Sequence, residues 1–321
     1  MATTRLAPSP TGALHLGNAR TFLINWILAK QLNWRILLRI EDLDGPRVKA
    51  AADRLLIDDL NYLGLDWDEG PVYQSSRAGE YRAAIESLIA RGLAYPCVCS
   101  RKEVDSAASA PHAEDGASIY PGTCRGKFSS AQEAKEKSGR EPAIRFLAAD
   151  RDVEFDDRFL GRFAGRQSLN VSRRLGDFVI AKADGTAAYQ LAVVVDDLAG
   201  SVTEVVRGDD LLKSTFRQIL LYEALGATGS IPRYTHLPLV VGTDGRRLAK
   251  RHGDTRIATY REMGVGRSRM LGLLAKWCGM NVDGPIDDPR RLVAEFDLAA
   301  MSRSPIVFTA DDDAWLRGTS E

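Results

Sequence analysis

The sequence lacks any apolar run that could cross a membrane, and it lacks an N-terminal export signal. Its hydrophobic stretches all fall short of the roughly 18 consecutive apolar residues that a transmembrane helix requires. At the start of the chain, Pro8, Pro10 and Gly12 interrupt the basic-then-apolar pattern of a secretory leader. With a hydrophobic content of 45%, these absences predict a cytoplasmic globular protein.

The chain also has no net charge at pH 7, and it contains only four cysteines. The 43 basic and 43 acidic residues cancel, so a polyanionic partner would have to bind a local basic face. Three of the four cysteines lie between positions 97 and 124, which in a cytosolic protein indicates metal binding more often than disulfides. The fourth, Cys278, lies in an apolar helical pattern and is predicted to be a core residue.

The first forty residues predict a strand, a helix and a second strand. Residues 2–7 alternate loosely before a Pro/Gly-rich turn at 8–17, and apolar spacing over 18–32 predicts an amphipathic helix. Residues 35–40 resemble a buried strand, with acidic residues directly after it at 41–44. Such a unit begins a parallel sheet of the α/β class, in which ligands bind at the carboxyl ends of the strands. We therefore expect the turn at 8–17 and the acidic residues at 41–44 to lie at the same edge of this sheet.

The same patterns can be followed along the rest of the chain. Further helices are predicted at 47–63, 77–93 and 211–225, and further strands at 143–147, 177–181, 189–195, 204–207 and 236–241. The run at 189–195 is taken as a sheet strand because Asp196 and Asp197 follow it, as acids follow the strand at 35–40. Residues 256–321 are predicted to be largely helical.

Two segments could bind phosphate. Residues 5–18 place a turn of small residues and His15 before a helix, where free N–H groups and the helix dipole attract anions. The imidazole could stabilise charge that develops at a reacting phosphorus. Residues 247–253 form a basic run after a turn at 242–245. The alternatives are a plain turn before a core helix, with His15 merely packed, and a solvated basic loop.

The two segments together resemble a known family. Residues 5–18 read Arg-x-Ala-Pro-Ser-Pro-Thr-Gly-x-x-His-x-Gly-Asn, similar to the first signature of class I aminoacyl-tRNA synthetases of the glutamyl/glutaminyl group. The basic run resembles their second signature, usually Lys-Leu-Ser-Lys-Arg/Gln, although Arg247 and Ala249 replace the first Lys and the Ser. The resemblance implies catalytic roles for His15 and Lys250. It also implies that ATP, with Mg²⁺ bridging its phosphates, is bound by His15, Gly17, Asn18 and Lys250.

The amino-acid substrate implied by the resemblance is glutamate. Residues 39–44 and 205–210 match the glutamyl group as well, and the implied binding residues are Arg5, Ala7, Ser9, Glu41, Tyr189 and Arg207. The chemistry agrees, because two carboxylates and one ammonium call for two guanidiniums and one acid. The alternative is that Arg5, Arg207 and Glu41 form an internal ion network.

A metal site is predicted from Cys97-x-Cys99 and Tyr120-x-x-x-Cys124. Three thiolates and one further donor would complete a tetrahedral, structural zinc site. On spacing alone Tyr120 would be a core aromatic residue, and His112 is a competing donor. The pattern resembles the zinc knuckle of glutamyl-queuosine tRNA(Asp) synthetases, which implies Tyr120 as the fourth ligand. An empty, reduced cluster is the alternative.

This resemblance also indicates which tRNA receives the glutamyl group. Bacterial glutamyl-tRNA synthetases continue into a helical anticodon-binding domain, whereas this sequence stops at residue 321. With the Cys/Cys/Tyr/Cys pattern, this favours the shortened paralogues, the glutamyl-queuosine tRNA(Asp) synthetases. They activate glutamate without tRNA and attach it to the queuosine base at the wobble position of tRNA(Asp). The expected partners are therefore ATP, L-glutamate and an anticodon stem-loop that carries queuosine, and the expected state is a monomer.

The resemblance covers residues 4–260 and implies a division of the chain into four parts. These are the first half of a Rossmann-like catalytic domain (1–94), an inserted zinc-bearing subdomain (95–176), the second half of the catalytic domain (177–255) and a helical C-terminal segment (256–321).

Three other functions remain open at this point. They are a truncated glutamyl-tRNA synthetase that charges the 3′ end of tRNA(Glu), a non-enzymatic tRNA-binding relative, and a small-molecule adenylyltransferase with a related His-x-Gly turn. The altered second signature, with Arg247 and Ala249, is what suggests a relative that has lost activity.

Overall fold

A set of parallel strands between two groups of helices forms the centre of the molecule. The computed structural model describes residues 1–10, 13–43, 51–107, 119–246, 248, 254–282 and 284–318. In chain order the strands are β1 (Thr3–Leu6), β2 (Arg35–Ile40), β3 (Glu69–Tyr73), β4 (Ala94–Cys97), β5 (Ala143–Phe146), β6 (Asp152–Phe155), β7 (Gln167–Asn170), β8 (Phe178–Ala181), β9 (Glu204–Gly208), β10 (Arg233–Leu237), β11 (Val240–Val241) and β12 (Ile306–Val307).

Twelve α-helices are found in the described part of the chain. They are α1 (Leu16–Gln31), α2 (Ala52–Leu63), α3 (Ala78–Ala90), α4 (Arg101–Ala107), α5 (Ala131–Ser138), α6 (Gly161–Ala164), α7 (Val171–Arg174), α8 (Tyr189–Ala199), α9 (Leu212–Ala224), α10 (Ile257–Glu262), α11 (Arg267–Trp277) and α12 (Ala310–Arg317). Of these described helices, none is long and apolar enough to cross a membrane.

The central strands all run in the same direction. β2 pairs in parallel with β1 on one side and β3 on the other, while β9 pairs in parallel with β10. The Thr203 N–H donates to the Thr3 carbonyl over 2.9 Å, which places β9 beside β1. The order across the centre is therefore β3-β2-β1-β9-β10. The α/β class with a parallel sheet is confirmed.

Alternate side chains of β9 point into two different cores, as expected for a strand covered on both faces. Val206 belongs to the core that includes α1 and α11. Its neighbour Val205 belongs to the core that includes α8 and α9. Since both faces of the strand are covered, a ligand can reach these strands most easily at their ends.

The helix predicted at 18–32 is confirmed as α1, but it is not amphipathic through its centre. Residues 23–29 are all buried, because the helix packs against the sheet on one side and against α11 on the other. A helix that is enclosed in this way must satisfy any polar side chain internally. Asn25 does so by donating to the Arg5 carbonyl over 2.9 Å and accepting from the Thr4 hydroxyl over 2.8 Å.

The strand predicted at 189–195 is wrong, because this segment forms α8. Its run of valines is typical of a buried strand, but a short apolar run cannot distinguish a strand from a buried helix. Packing against α9 and the sheet decides in favour of the helix, with Leu191 and Val194 in the core. As a consequence, Asp196 and Asp197 lie in the last turn of a helix and not beyond the end of a strand.

The prediction that residues 256–321 are largely helical is correct only in part. Helices α10 and α11 cover the beginning of this segment and α12 its end. Between α11 and α12 the described chain forms two short 3-10 turns and β12, which pairs with β11. Short polar and proline-containing stretches here, such as Asp287-Asp288-Pro289, interrupt any helical pattern.

The other predicted elements agree with the structure to within a few residues. The predicted strands at 2–7, 35–40, 143–147, 177–181 and 204–207 and the predicted helices at 77–93 and 211–225 are confirmed. The segment at 236–241 is divided, because β10 ends at Leu237 and Val240–Val241 pairs with β12 as β11. Of the helix predicted at 47–63, residues 47–50 lie outside the described part, and the rest is helical from Ala52. In the segment between α3 and α8, β4, β5 and β8 form one antiparallel sheet and β6 and β7 form another.

A candidate substrate pocket at the carboxyl edge of the parallel strands

A pocket of about 450 Å³ opens where β1, β2 and β9 end and α1 and α8 begin. The Glu41 N–H donates to the Pro8 carbonyl over 3.0 Å, so the turn after β1 and the acid after β2 lie side by side. The described residues predicted to bind glutamate or ATP all line this pocket: Arg5, Ala7, Ser9, His15, Gly17, Asn18, Glu41, Tyr189 and Arg207.

His15 immediately precedes α1 and has an extended backbone. The first N–H groups of a helix have no intrahelical acceptor. Gly17 and Asn18, in the first turn of α1, line the pocket. A Cβ at position 17 would lie 3.4 Å from the His15 imidazole and from Val240, so a side chain there would fill the space beside the ring. This corner of the pocket suits an anion.

The chain that follows the second signature passes beside the same corner. Thr255 accepts the Leu16 N–H over 3.0 Å, and Ile257 donates its N–H to Leu14 over 2.8 Å. The chain that follows the basic run therefore pairs with the residues around His15. Arg247, Ala249 and Lys250 themselves lie outside the described residues, as does Asp44.

Arg5 lies in β1, and its guanidinium is buried beside the pocket. Within the described part of the chain, it makes two long contacts: Nη1 donates to the Val206 carbonyl over 3.4 Å, and Nε lies 3.6 Å from Asp197 Oδ1. Burial lowers the pKa of Arg5, and the negative charge of Asp197 opposes this effect. The guanidinium keeps its charge, because arginine does not lose its proton in proteins.

The acid of the pocket, Glu41, is paired with a second buried arginine. Arg39 Nη2 donates to Glu41 Oε1 over 3.1 Å, and Arg39 Nη1 donates to Asp197. Burial raises the pKa of Glu41, while Arg39 and Arg5 act in the opposite direction. Burial opposes the charge of Arg39, but Asp197, Glu41 and Asp196 together raise its pKa. Arg39 and Asp197 thus connect Arg5 to Glu41.

Arg207 is held differently, by neutral side chains. Its Nε donates to His236 Nε2 over 3.1 Å, and its Nη2 donates to the Thr215 hydroxyl over 2.6 Å. His236 Nδ1 lies 2.7 Å from Asp157 Oδ2. The remaining nitrogen of the guanidinium, Nη1, is buried and has no hydrogen-bond partner among the described residues. Arg207 itself lines the pocket.

The alternative of an internal ion network is therefore realised only in part. Arg5 and Glu41 are linked, but through Asp197 and Arg39. Arg207 makes no salt bridge with an acid among the described residues. In a closed network every guanidinium nitrogen would be paired, whereas Arg207 Nη1 and Arg5 Nε have no hydrogen-bond partner among the described residues.

A second cluster of candidate residues lies at the end of β4. The Sγ atoms of Cys97, Cys99 and Cys124 all lie within 4.8 Å of one another. The Tyr120 hydroxyl is 3.3 Å from Cys97 Sγ and 3.8 Å from Cys99 Sγ. Arg145 lies over the Tyr120 ring, 3.8 Å from its centroid, and its Nε donates to Cys97 Sγ over 3.3 Å. The competing donor His112 lies outside the described residues. Cys278 is buried in the core, as predicted.

Both the sequence and the fold are similar to those of known proteins. Residues 1–297 match the family model of tRNA synthetases class I (E and Q), catalytic domain. The chain belongs to this family. Its α/β sheet with parallel strands is accordingly the class I synthetase catalytic fold.

Relatives with two different names are similar to the chain. The Glutamyl-Q tRNA(Asp) synthetase of Rhodopirellula baltica is 45% identical, over 95% of this chain and 96% of its own length. That of Symbiobacterium thermophilum is 45% identical over 98% of both chains. The glutamate–tRNA ligase of Geobacter sulfurreducens is 40% identical, over 97% of this chain and 64% of its own length.

A solved structure agrees with the fold. The crystal structure of a glutamate tRNA ligase from Elizabethkingia meningosepticum, in complex with its amino acid, superposes with a TM-score of 0.79 at 28% identity. The match covers 98% of this chain and 68% of the ligase chain.

Within this class I synthetase fold, four residues that lie behind the pocket wall were not predicted from the sequence as site residues. Arg39 falls inside a segment that resembles the family, and its position before Glu41 in a buried strand was a usable signal. Asp197 lies in α8 and not, as the sequence predicts, after a strand. His236 and Asp157 carry no local motif, and they meet only because β10 passes beside the turn after β6.

We predict that His236 makes the stability of the protein depend on pH. Burial, together with the charge of Arg207, lowers the pKa of His236 to about 4, although Asp157 and Asp210 act in the opposite direction. Between about pH 4 and the unfolded value of about 6.5, the unfolded chain binds a proton that the folded chain does not. Acidification in this range therefore favours unfolding.

The measurement is urea unfolding of the wild type and of His236→Gln at pH 7 and pH 5. The free energy of unfolding of the wild type should fall by about 2 kcal/mol more than that of the variant. Equal losses in the two proteins would show that His236 does not titrate below its unfolded value.

Proposed function

We propose that this chain activates L-glutamate with ATP and transfers the glutamyl group to the queuosine base at the wobble position of tRNA(Asp). Glutamate, ATP and a tRNA that carries queuosine are its substrates, and the cytosol, where tRNA is modified, is its place of action. The arrangement of charge in the pocket supports the amino acid, and the similarity to named relatives supports the acceptor.

The pocket suits an amino acid with an acidic side chain. Arg5 and Arg207 provide guanidinium groups for carboxylate oxygens, and Arg207 Nη1 has no other partner among the described residues. Glu41, whose Oε1 accepts a hydrogen bond from Arg39, provides a carboxylate for the ammonium group. Ala7, Ser9 and Tyr189 complete this part of the wall. A neutral side chain would leave a buried guanidinium without a counter-charge, which is unfavourable.

The start of α1 suits the phosphates of ATP. His15 and the N-terminal residues Gly17 and Asn18 are the donors on this side. Lys250 is the proposed donor from the second signature, and Mg²⁺ bound with ATP would neutralise further phosphate charge.

The proposed reaction has two steps. An oxygen of the glutamate α-carboxylate attacks the α-phosphorus of ATP, and the bond to pyrophosphate breaks as the new P–O bond forms. His15 and Lys250 stabilise the negative charge on the departing phosphates. A hydroxyl of the cyclopentenediol of queuosine then attacks the activated carbonyl, loses its proton and displaces AMP. Neither step requires a covalent bond to the protein.

The observation that carries the choice of acceptor is the 45% identity with relatives named Glutamyl-Q tRNA(Asp) synthetase, over nearly the whole of both chains. Identity with the glutamate–tRNA ligases is lower, at 38–40%. Charging the 3′ end of tRNA(Glu) is the second candidate, because the same pocket would serve the first step of both reactions.

The deciding experiment offers radiolabelled glutamate and ATP to tRNA prepared with and without queuosine. We expect labelling only of tRNA that contains queuosine. Nuclease digestion should release the label on an anticodon fragment and not on the 3′-terminal adenosine. Glu41→Gln, which removes the proposed partner of the ammonium group, should label neither preparation.

Labelling that does not depend on queuosine, with the label on the terminal adenosine, would support the second candidate. No labelling of any tRNA, together with no glutamate-dependent exchange of pyrophosphate into ATP, would contradict both and favour a non-enzymatic relative.

We further propose that Cys97, Cys99, Cys124 and Tyr120 bind one structural zinc ion. The donor set fits, since three sulfur atoms and a phenol oxygen converge within a few ångströms. Arg145 adds a positive charge beside these donors, which suits a cluster of thiolates. When bound, zinc would link the end of β4 to the turn that carries Cys124.

We expect the purified wild type to contain about one zinc per chain, as four-donor structural sites do. Cys99→Ser should lose the metal, while Cys278→Ala, which changes a cysteine of the main core, should retain it. Zinc content by plasma mass spectrometry, with and without a chelator, provides the measurement. A wild type without zinc, or a Cys99→Ser variant with full zinc content, would exclude this site.

A further inference from the structure

Arg207 is oriented by contacts that lie behind the pocket. Its Nε donates to His236 Nε2, and its Nη2 donates to the Thr215 hydroxyl. The hydroxyl in turn lies 3.0 Å from His236 Nε2. Of the terminal nitrogens of the guanidinium, Nη1 alone is left without a hydrogen-bond partner among the described residues. The position of that nitrogen therefore depends on His236 and Thr215.

His236 can serve as an acceptor only in one tautomer. An imidazole nitrogen accepts a hydrogen bond with its lone pair, so Nε2 must be unprotonated to accept from Arg207. Nδ1 must then carry the proton, and it lies 2.7 Å from Asp157 Oδ2, which can only accept. His236 is fully buried, so no water reaches the ring to supply another partner.

Asp157 is itself held by the backbone. Its Oδ1 accepts the N–H groups of Phe159 and Leu160 over 3.0 and 2.7 Å. Its Oδ2 also accepts the backbone N–H of His236 over 3.1 Å. These bonds hold the carboxylate in place, with Oδ2 directed at the imidazole.

We propose that Asp157 and His236 are a positioning pair that sets the orientation of Arg207 and thereby the affinity for the substrate carboxylate. The inference rests on the proposed function, in that the carboxylate belongs to glutamate. Neither member of the pair lines the pocket. Each acts through Arg207.

The electrostatics of the site agree with this role. A protonated His236 would place a positive charge and an N–H donor against the guanidinium of Arg207. Burial and the proximity of Arg207 lower the pKa of the imidazole, so the ring is neutral at the pH of the cytosol. The neutral ring adds an acceptor but no counter-charge, which leaves the charge of Arg207 available to the substrate.

The pair also links two distant parts of the chain. Asp157 follows β6 and precedes α6, in the region predicted to be an inserted subdomain. The Arg158 N–H donates to the Tyr234 carbonyl over 2.9 Å, so this turn is attached to β10. A displacement of the turn would therefore move His236, and through it Arg207.

Asp157→Asn tests the tautomer with almost no change in shape. The carboxamide oxygen is expected at the Oδ1 position, because the opposite orientation loses more backbone hydrogen bonds. Its NH₂ group then donates to His236 Nδ1, which moves the ring proton to Nε2. In this variant the N–H at His236 Nε2 faces the Nε–H of Arg207, so Arg207 loses His236 as an acceptor.

Two substitutions of His236 form a matched pair. In His236→Gln, the side-chain oxygen can reach the position of Nε2 and accept from Arg207. In His236→Asn, the shorter amide can bond to Asp157 but cannot reach Arg207. Both variants remove the ring, so a general loss of packing affects them alike.

The first measurement is the KM for glutamate and for ATP in glutamate-dependent exchange of pyrophosphate into ATP. We expect Asp157→Asn and His236→Asn to raise the KM for glutamate about tenfold or more, the effect of one hydrogen bond to a charged group. His236→Gln should lie closer to the wild type, and the KM for ATP should stay unchanged in all three variants.

Several results would overturn the proposal. One is an unchanged KM for glutamate in Asp157→Asn and His236→Asn. Another is equal impairment of the two His236 variants, and a third is a parallel change in the KM for ATP. A wild type without glutamate-dependent exchange would contradict the proposed function instead.

The second measurement does not depend on activity. The chain has four histidines, so a ¹⁵N-histidine-labelled sample gives a simple spectrum in which His236→Gln identifies the signal. We expect His236 in the wild type to be protonated at Nδ1 and bare at Nε2, and in Asp157→Asn to be protonated at Nε2. A wild-type ring protonated at Nε2 would refute the positioning pair directly.

Discussion

The burial of three arginines around one pocket is the constraint on which the site depends. Arg5, Arg39 and Arg207 are each no more than 5% exposed. A buried charge without a partner costs about 3–5 kcal/mol, so each guanidinium must be compensated by the protein or by a ligand. Asp197 and Glu41 compensate Arg39 and, in part, Arg5. Among the described residues, Arg207 has only neutral acceptors, so of the three arginines it has the greatest need of an anionic ligand.

The topology of the sheet brings these charges together. Parallel strands end at one edge, so the residues after β1, β2 and β9 meet there, and helices α1 and α8 begin beside them. The helix α8 contributes at both ends. Tyr189 at its start lines the pocket, and Asp197 in its last turn lies against Arg39 and Arg5. One helix thus supplies both a wall of the pocket and the counter-charge behind it.

Much of this arrangement could be predicted from the sequence, and the rest depends on contacts between distant segments. The strand–helix–strand unit at the N-terminus follows from local periodicity and turn residues, and it places Arg5, His15 and Glu41 on one edge. The mistake at 189–195 arose because valines favour strands locally, whereas packing on α9 favours a helix. Asp157 and His236 are 79 positions apart and belong to no motif, so only the pairing of their elements in three dimensions reveals them.

On this arrangement of charges, the pocket selects an amino acid by the negative charge of its side chain. The most direct measurement is amino-acid-dependent exchange of pyrophosphate into ATP, without tRNA, across the common amino acids. Glutamate should support exchange, while glutamine, which has the same length and no charge, should not. Exchange with glutamine that equals exchange with glutamate would contradict the account.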